Sequence, residues 1–466
     1  MAIIKISELP AATSPVSPSD VLPALQGGVT KKAAINQFGF IANGAGAQVR
    51  TIQEKLRETV SVLDFGADPT GVADSYSAFV AALAVGSSVF VPAGDYTIGT
   101  QINITGNRTI EGVGGDNYES LQSRLIFTGA SGNCFSAISA EFGGIVIRNL
   151  TINGGNGGFA IRSSRPQSVF ENLNLEVYNG GGIQLFEAGT GSQASWGTAI
   201  RNVKWVGPAS PTSYRGFDIT QNGGLITLER CTAIRGAIGI NINQGEAINI
   251  IGCNLNLQVP TYSSEPATDT CCIRLSGAGY KKAVSIRNSY IEAFTYGLYI
   301  EKCESLSIED NFIADVGFGT NAAAIYLKDN NVNNVTVRNN NIFHQGNTAS
   351  AVEIGNGASN VYVLNNIIGV PGSNSIAVKK GTTTYSFVEG NNLTVNPFNG
   401  IGYDDPNFLL VNLDFPREGF FSYRRRDFLS VNDTWYTLGP VGNDQVWQIK
   451  ICDSNTPASV RVAADL

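Results

Sequence analysis

Histidine and methionine are almost missing from this chain, one of each in 466 residues, and charged side chains make up only 15%. With His344 alone and seven cysteines in no C-x-x-C spacing, the donor set for a His- or Cys-ligated metal is lacking. No metal or other cofactor is therefore expected. An odd cysteine number fits reduced thiols better than a disulfide framework, and Cys231 and Cys253 are expected to stack as thiols. Basic residues are outnumbered, 31 Lys and Arg against 38 Asp and Glu, so no footprint for nucleic acid or an anionic membrane is present. The one dense basic run, Arg424-Arg425-Arg426, reads as a local ion-pair cluster. No apolar run reaches the about 18 residues that span a bilayer, which excludes membrane insertion by a helix. The N-terminal stretch also lacks the basic start and apolar core of a classical export signal.

What the chain has instead is 53 glycines, abundant asparagine, and Ile and Val in place of helix-forming residues. This composition predicts an all-β protein with many tight turns. A unit of two alternating apolar residues, a polar turn residue and a further residue recurs as Ile147-Arg148-Asn149-Leu150, Ile200-Arg201-Asn202-Val203, Ile308-Glu309-Asp310-Asn311 and Val363-Leu364-Asn365-Asn366. Its turn position falls at 149, 172, 202, 230, 252, 288, 310, 339, 365 and 390, with spacings from 22 to 36. Irregular spacing of that size suits a parallel β-helix, where loops of different length leave each coil without disturbing the strands. Asparagine tolerates left-handed backbone angles, and its amide can bond to the coils above and below. A second strand per coil is read from Gly216-Phe217-Asp218-Ile219, Gly239-Ile240-Asn241-Ile242, Gly297-Leu298-Tyr299-Ile300 and Ala324-Ile325-Tyr326-Leu327.

With the repeat itself, four segments are predicted. Residues 1–50 are rich in Pro, Ser, Ala and Gly and too poor in apolar residues for a core of their own. Residues 51–98 hold a short amphipathic helix over 51–58 and an apolar helix from about Ser75 to Ala84, read as a lid on the first coil, with Asp74 at its N-cap. Residues 99–402 are the β-helix. Residues 403–466 shift in composition, with Trp435 and Trp447, and form a small C-terminal β segment.

The runs Thr51-Ile52-Gln53-Glu54-Lys55-Leu56-Arg57-Glu58, Val60-Ser61-Val62-Leu63-Asp64-Phe65-Gly66-Ala67 and Val91-Pro92-Ala93-Gly94-Asp95-Tyr96 resemble the start of the pectate-lyase-like right-handed parallel β-helix of bacteriophage tailspikes and tail fibres. Ile6-Ser7-Glu8-Leu9-Pro10-Ala11 with Gly27-Gly28-Val29-Thr30-Lys31-Lys32 is similar to phage tail-appendage heads. The resemblance implies a homotrimer made in the host cytoplasm and carried on the virion. It implies a head at residues 1–50 that joins other tail proteins, and a rod that recognises or cuts bacterial capsule or lipopolysaccharide. It names no sugar and no catalytic residue. The alternatives are a non-enzymatic tail fibre or adhesin that only binds, and a cellular carbohydrate enzyme on the same fold, against which the head speaks.

Strand alternation sorts the outward side chains into two rows. One row, Arg148, Glu171, Arg201, Glu229, Ile251, Arg287, Glu309 and Arg338, alternates in sign and reads as mutual support between coils. The other, Gln184, Asp218, Asn241, Arg274, Tyr299, Tyr326 and Glu353, mixes carboxylate, amide, guanidinium and phenol, as an extended sugar chain requires. Glycosidic hydrolysis needs two carboxyl groups about 5 to 9.5 Å apart. Glu301 and Glu353 are the first expected pair, with Asp329 and Asp218 next. Arg274, Tyr299, Tyr326, Asn241 and Lys328 are the expected substrate-binding residues. A lyase would instead take Tyr299, Tyr326 or Lys328 as base, with Arg274 holding a uronate. Glu187, Glu265, Asp269 and Asp315 lie on longer excursions where functional residues also gather.

Overall fold

The computed structural model describes residues 21–34, residues 38–388 apart from short loop stretches of which 258–269 is the longest, and separate strand segments between 393 and 464. The chain winds into a parallel β-helix with three walls. Two of them share a 24-stranded sheet and the third is a 12-stranded sheet. Twelve strands stacked at about 4.8 Å give a column roughly 50 Å long. The first coil begins at Val60, earlier than the repeat units alone suggest: Val60–Ser61 pairs in parallel with Ser88–Val91, and Thr70–Asp74 with Gly94–Ile98.

Left-handed turns join the first wall to the second. Asn149, Asn172, Asn202, Arg230, Asn288, Asp310, Asn339 and Asn365 hold φ between 51 and 58, and Gly252 holds 63. These are the turn positions expected from the repeat; the last, Gly390, lies outside the described residues. The outer amides bond from coil to coil, Asn202 Nδ2 to Asn172 Oδ1 at 2.8 Å and Asn172 Nδ2 to Asn149 Oδ1 at 3.1 Å.

Inside the turn runs a second polar column. Ser289, Asn311, Asn340 and Asn366 are buried, and each asparagine side chain accepts from the backbone N–H of its neighbour one coil earlier. Their own amides donate to carbonyls of Ile286, Ile308 and Val337 at 2.9 to 3.0 Å. Buried polar groups must be paired, and here the column pairs them. Below it on the same line, Cys231 and Cys253 stand as buried free thiols, donating to the carbonyls of Ile200 and Leu228, in the stack expected from the sequence.

The core is built of aligned apolar rows. Ile110, Ile147, Phe170, Ile200, Leu228, Ile250, Ile286, Ile308, Val337 and Val363 follow one another in register, each with no exposed surface. Each such side chain contributes about 1.5 to 3 kcal/mol on burial. The third wall opens on small residues for steric cause. A Cβ at Gly297 would lie 2.6 Å from the Ala324 carbonyl oxygen, and at Gly216 it would strike Trp205.

Two helices precede the column. Helix α1, Ile52–Leu56, starts at a capping box between Thr51 and Glu54 and buries none of its residues. Helix α2, Tyr76–Val85, buries Ala78, Phe79, Ala82 and Leu83, and the Phe79 ring meets Tyr96 edge-on at 5.9 Å. The helix packs on the first strands of the column. Asp74 stands one residue before the N-cap position but performs the capping, accepting from Tyr76 N and from Gly99 N, each at 3.0 Å. Ahead of the helices Val21–Gln26 and Val29–Ala34 form an antiparallel hairpin turned by Gly27 and Gly28, both at positive φ. Beyond the column, Thr434–Leu438, Trp447–Ile451 and Val462–Ala464 form a small antiparallel sheet, the C-terminal β segment. The arginine triplet is outside the described residues.

Candidate functional site

Both outward rows stand in the register that alternation predicts. On the first wall the signs do pair: Arg148 with Glu111 at 2.9 Å, Arg201 with Glu229 at 3.5 Å, Arg338 with Glu309 at 2.9 Å. These exposed pairs account for Glu229 and Glu309 as coil-to-coil supports.

The third wall carries Gln184, Asp218, Asn241, Arg274, Tyr299, Tyr326 and Glu353 on consecutive strands, continued by Lys379. Its lower half is closed. Asp218 and Asn241 are 2% and 1% exposed, and Asp218 accepts from Gln184 Nε2 at 2.9 Å, Arg215 Nη1 at 3.0 Å and Asn241 Nδ2 at 2.7 Å. An outward direction is therefore not solvent exposure here, because neighbours one coil up and down close over the carboxylate. Asp218 is held in a polar network and does not join the other carboxylates.

The upper half is open and aromatic. Tyr299 and Tyr326 pack at 5.4 Å, Tyr296 meets them at 5.0 and 5.6 Å, and the Arg274 guanidinium stands 5.7 Å from the Tyr299 ring centre. Burial raises all three phenol pKa values, that of Tyr296 to about 12, so the rings stay neutral hydroxyl donors near pH 7.

Beside these rings lies a cleft of about 340 Å³, lined by Gly277, Ala278, Glu301, Lys302, Lys328, Asp329 and Asn331. It brings Glu301 and Asp329 together. Lys328 Nζ donates to Glu301 Oε1 at 3.1 Å, and that bond raises the lysine pKa. Asp329 Oδ1 accepts from both Asn331 N and Asn331 Nδ2 at 2.9 Å, which fixes the carboxyl at the end of its strand. Glu301 follows directly on the strand Tyr296–Ile300, so platform and cleft adjoin. Glu353 stands one coil past Tyr326, outside the cleft lining, with Lys379 Nζ at 3.4 Å from Oε1. Glu301 and Glu353 are thus two coils apart, about 10 Å along the column before their offset along the strand. Glu301 and Asp329 are the nearer pair.

Sequence reasoning missed Tyr296, Lys302 and Asn331, and also Tyr280. The last is a 61% exposed ring at the cleft rim with the Lys282 and Lys302 ammonium groups each 5.2 Å from its centre. Glu187, Glu265 and Asp269 lie outside the described residues, as do the side chains of Asp315 and His344. Among the described residues no three His, Cys, Asp or Glu side chains gather as a metal site, and no helix is long and apolar enough to cross a membrane.

Against known proteins, residues 59–136 match the family model described as rhamnogalacturonase A/epimerase, pectate lyase-like. A variant of the tailspike protein of E. coli bacteriophage HK620 in complex with a hexasaccharide superposes with a TM-score of 0.55 at 13% identity, over 79% of this chain and 70% of that one. The fold is the pectate-lyase-like β-helix. Another variant of the same tailspike, in complex with a pentasaccharide, gives a TM-score of 0.50 at 14% identity over 79% of this chain and 71% of that one. In sequence, the chain is 25% identical over 262 residues to the tail spike protein of Shigella phage Sf6, a match over 52% of the present chain. The match spans 39% of that relative's length.

Proposed function

We propose that the chain is a phage tailspike that binds a bacterial surface polysaccharide, capsule or lipopolysaccharide, along its third wall and hydrolyses glycosidic bonds at Glu301 and Asp329. The observation that carries this reading is two carboxylates in one open cleft beside a platform of three tyrosines. One carboxyl group protonates the leaving oxygen while the other acts as base or nucleophile, and neighbouring coils about 4.8 Å apart suit that pairing. Tyr299 and Tyr326 offer faces for sugar rings, Arg274 and Lys328 their charged donors, and Glu353 with Lys379 extends the row for the next sugar. Asn241 supports this row from within the closed lower half. Hydrolysis is favoured over elimination because a lyase base must arrive deprotonated. Burial keeps the tyrosines neutral, and Glu301 keeps Lys328 charged. In this reading the protein is made in the host cytoplasm, is carried on the virion tail through residues 1–50, and works as a homotrimer. The likeness to tailspikes from HK620 and Sf6 supports it.

The test is incubation with a panel of purified capsular and lipopolysaccharide glycans. One of them should yield shortened chains with new reducing ends, without unsaturated products. Glu301→Gln and Asp329→Asn should each lower that turnover by at least a hundredfold while leaving binding intact. Full activity in both variants would place the chemistry elsewhere. A second reading, a tail fibre that only binds, draws on the Lys328 ammonium seated on Glu301. It predicts saturable binding of an intact glycan with no new ends.

A further inference from the structure

One wall of the cleft is the turn over 276–280, which carries the chain from the strand Cys271–Leu275 to the strand Lys281–Arg287. Three successive carbonyls of that turn are held by lysines. Lys281 Nζ donates to Gly277 O at 2.9 Å and to Gly279 O at 3.0 Å from beneath, while Lys302 Nζ donates to Ala278 O at 2.7 Å from the cleft side. Side chains cannot replace this bracing. Gly277 sits at φ +83, and a Cβ at Gly279 would lie 2.6 Å from Gln244 Cβ and 2.8 Å from the Asn243 carbonyl oxygen.

Lys281 itself has no exposed surface. A methionine would fill its space without a charge to desolvate, but it would leave the Gly277 and Gly279 carbonyls without their donor. The cost of keeping the ammonium there is visible in its acidity. Burial, with Lys302 acting in the same direction, lowers the pKa to about 8, against smaller opposing contributions from Cys303 and Glu301. A buried ammonium that holds the carbonyls of one cleft wall points to a role in the cleft.

We propose that Lys281 is a positioning residue for glycan binding, its buried ammonium holding the 276–280 turn as the wall against which the sugar next to Glu301 is seated. The inference rests on the hydrolase reading of the same cleft. Charge on Lys281 is what braces the carbonyls, so bracing weakens as the ammonium loses its proton above pH about 8. Over that window Cys303, raised to about 11 by burial, stays a thiol, and the neighbouring tyrosines stay neutral. The stability linkage has the opposite sign. A lysine whose folded pKa is depressed destabilises the fold fully below that pKa, and the penalty is relieved as pH rises from about 8 toward the unfolded value of 10.5.

The experiment compares the wild-type protein with Lys281→Met on whichever glycan of the panel the wild type shortens. At pH 7 the variant should keep a cooperative melt, with KM raised about tenfold and kcat changed less. Wild-type KM should climb through pH 8 while that of the variant stays flat, and wild-type thermal stability should gain on that of the variant between pH 8 and 10. A variant with unchanged KM overturns the proposal. So does one whose kcat falls as far as its KM rises, since that marks a purely structural lysine. If the wild type neither binds nor shortens any glycan, the hydrolase reading falls and the Lys281 inference falls with it. If the wild type acts and the variant equals it, only the inference is lost.

Discussion

Adjacent asparagines in one turn do unlike work. Asn339 takes φ 56 and stands exposed, whereas Asn340 points inward with no exposed surface and accepts from Asn311 N while donating to Ile308 O. The first position asks only for tolerance of the left-handed region, so Asn339→Gly should change unfolding free energy by no more than about 0.5 kcal/mol. Asn340→Ala strips partners from a buried N–H and a buried carbonyl and should cost about 2 to 3 kcal/mol. Equilibrium denaturation of the two variants measures the contrast, and equal effects would refute the division of labour. The turn positions were readable in the sequence because left-handed geometry selects asparagine, aspartate and glycine. The split between outer and inner asparagine was not, since the two residues look alike until the register fixes which one enters the column.

At the scale of elements, strand alternation placed each member of the third-wall row on the correct coil, but it could not say which would be covered. Asp218 is sealed by Arg215, a residue three positions away on its own strand, and by amides one coil up and down. Tyr296 escaped notice because Gly297 and Leu298 both face inward, so the simple alternation that marks Tyr299 breaks before reaching Tyr296. Its recovery gives a pH prediction. A phenol whose folded pKa lies above the unfolded value stabilises the fold fully below pH 10, and that stability is lost as pH rises through the folded value, about 12 for Tyr296. Melting temperature should therefore fall above pH 10, and Tyr296→Phe should blunt the fall. An unchanged alkaline slope in that variant would count against the buried cluster. The lid obeys similar logic: Phe79 is fully buried against Tyr96, and Phe79→Ala should cost about 3 to 5 kcal/mol. Because α2 covers the first coil, the loss should appear as light scattering from exposed strand edges as well as in the melt. A melting temperature within one or two degrees of wild type would show that the lid is not needed.

For the molecule as a whole, each coil rests on its neighbours, so stability sums along the column and a local defect stays local. What a single column leaves uncovered lies on its sides and at its head. Tyr290, Phe312 and Phe343 form a chain of rings at 5.5 Å spacing on the second wall, 37 to 40% exposed, with Ile367 beside them at 39%. At the head, α1 buries nothing and leaves Ile52 and Leu56 43% and 71% exposed. A helix of five residues has little stability of its own, and a contiguous apolar strip on a rod is the kind of surface that another protein covers. The proposed homotrimer supplies that cover: three parallel rods placing their second walls toward a common axis would shield the ring stripe, and three copies of α1 would shield one another. Sedimentation equilibrium should then give a mass three times 49.3 kDa at micromolar concentration. Phe312→Glu combined with Phe343→Glu should shift that mass toward the monomer while the far-ultraviolet circular dichroism keeps its β signature, because both rings are surface groups of a column whose interior they do not fill. A wild-type protein that sediments as a monomer would refute the assembly. A double variant that stays trimeric would move the interface off the second wall.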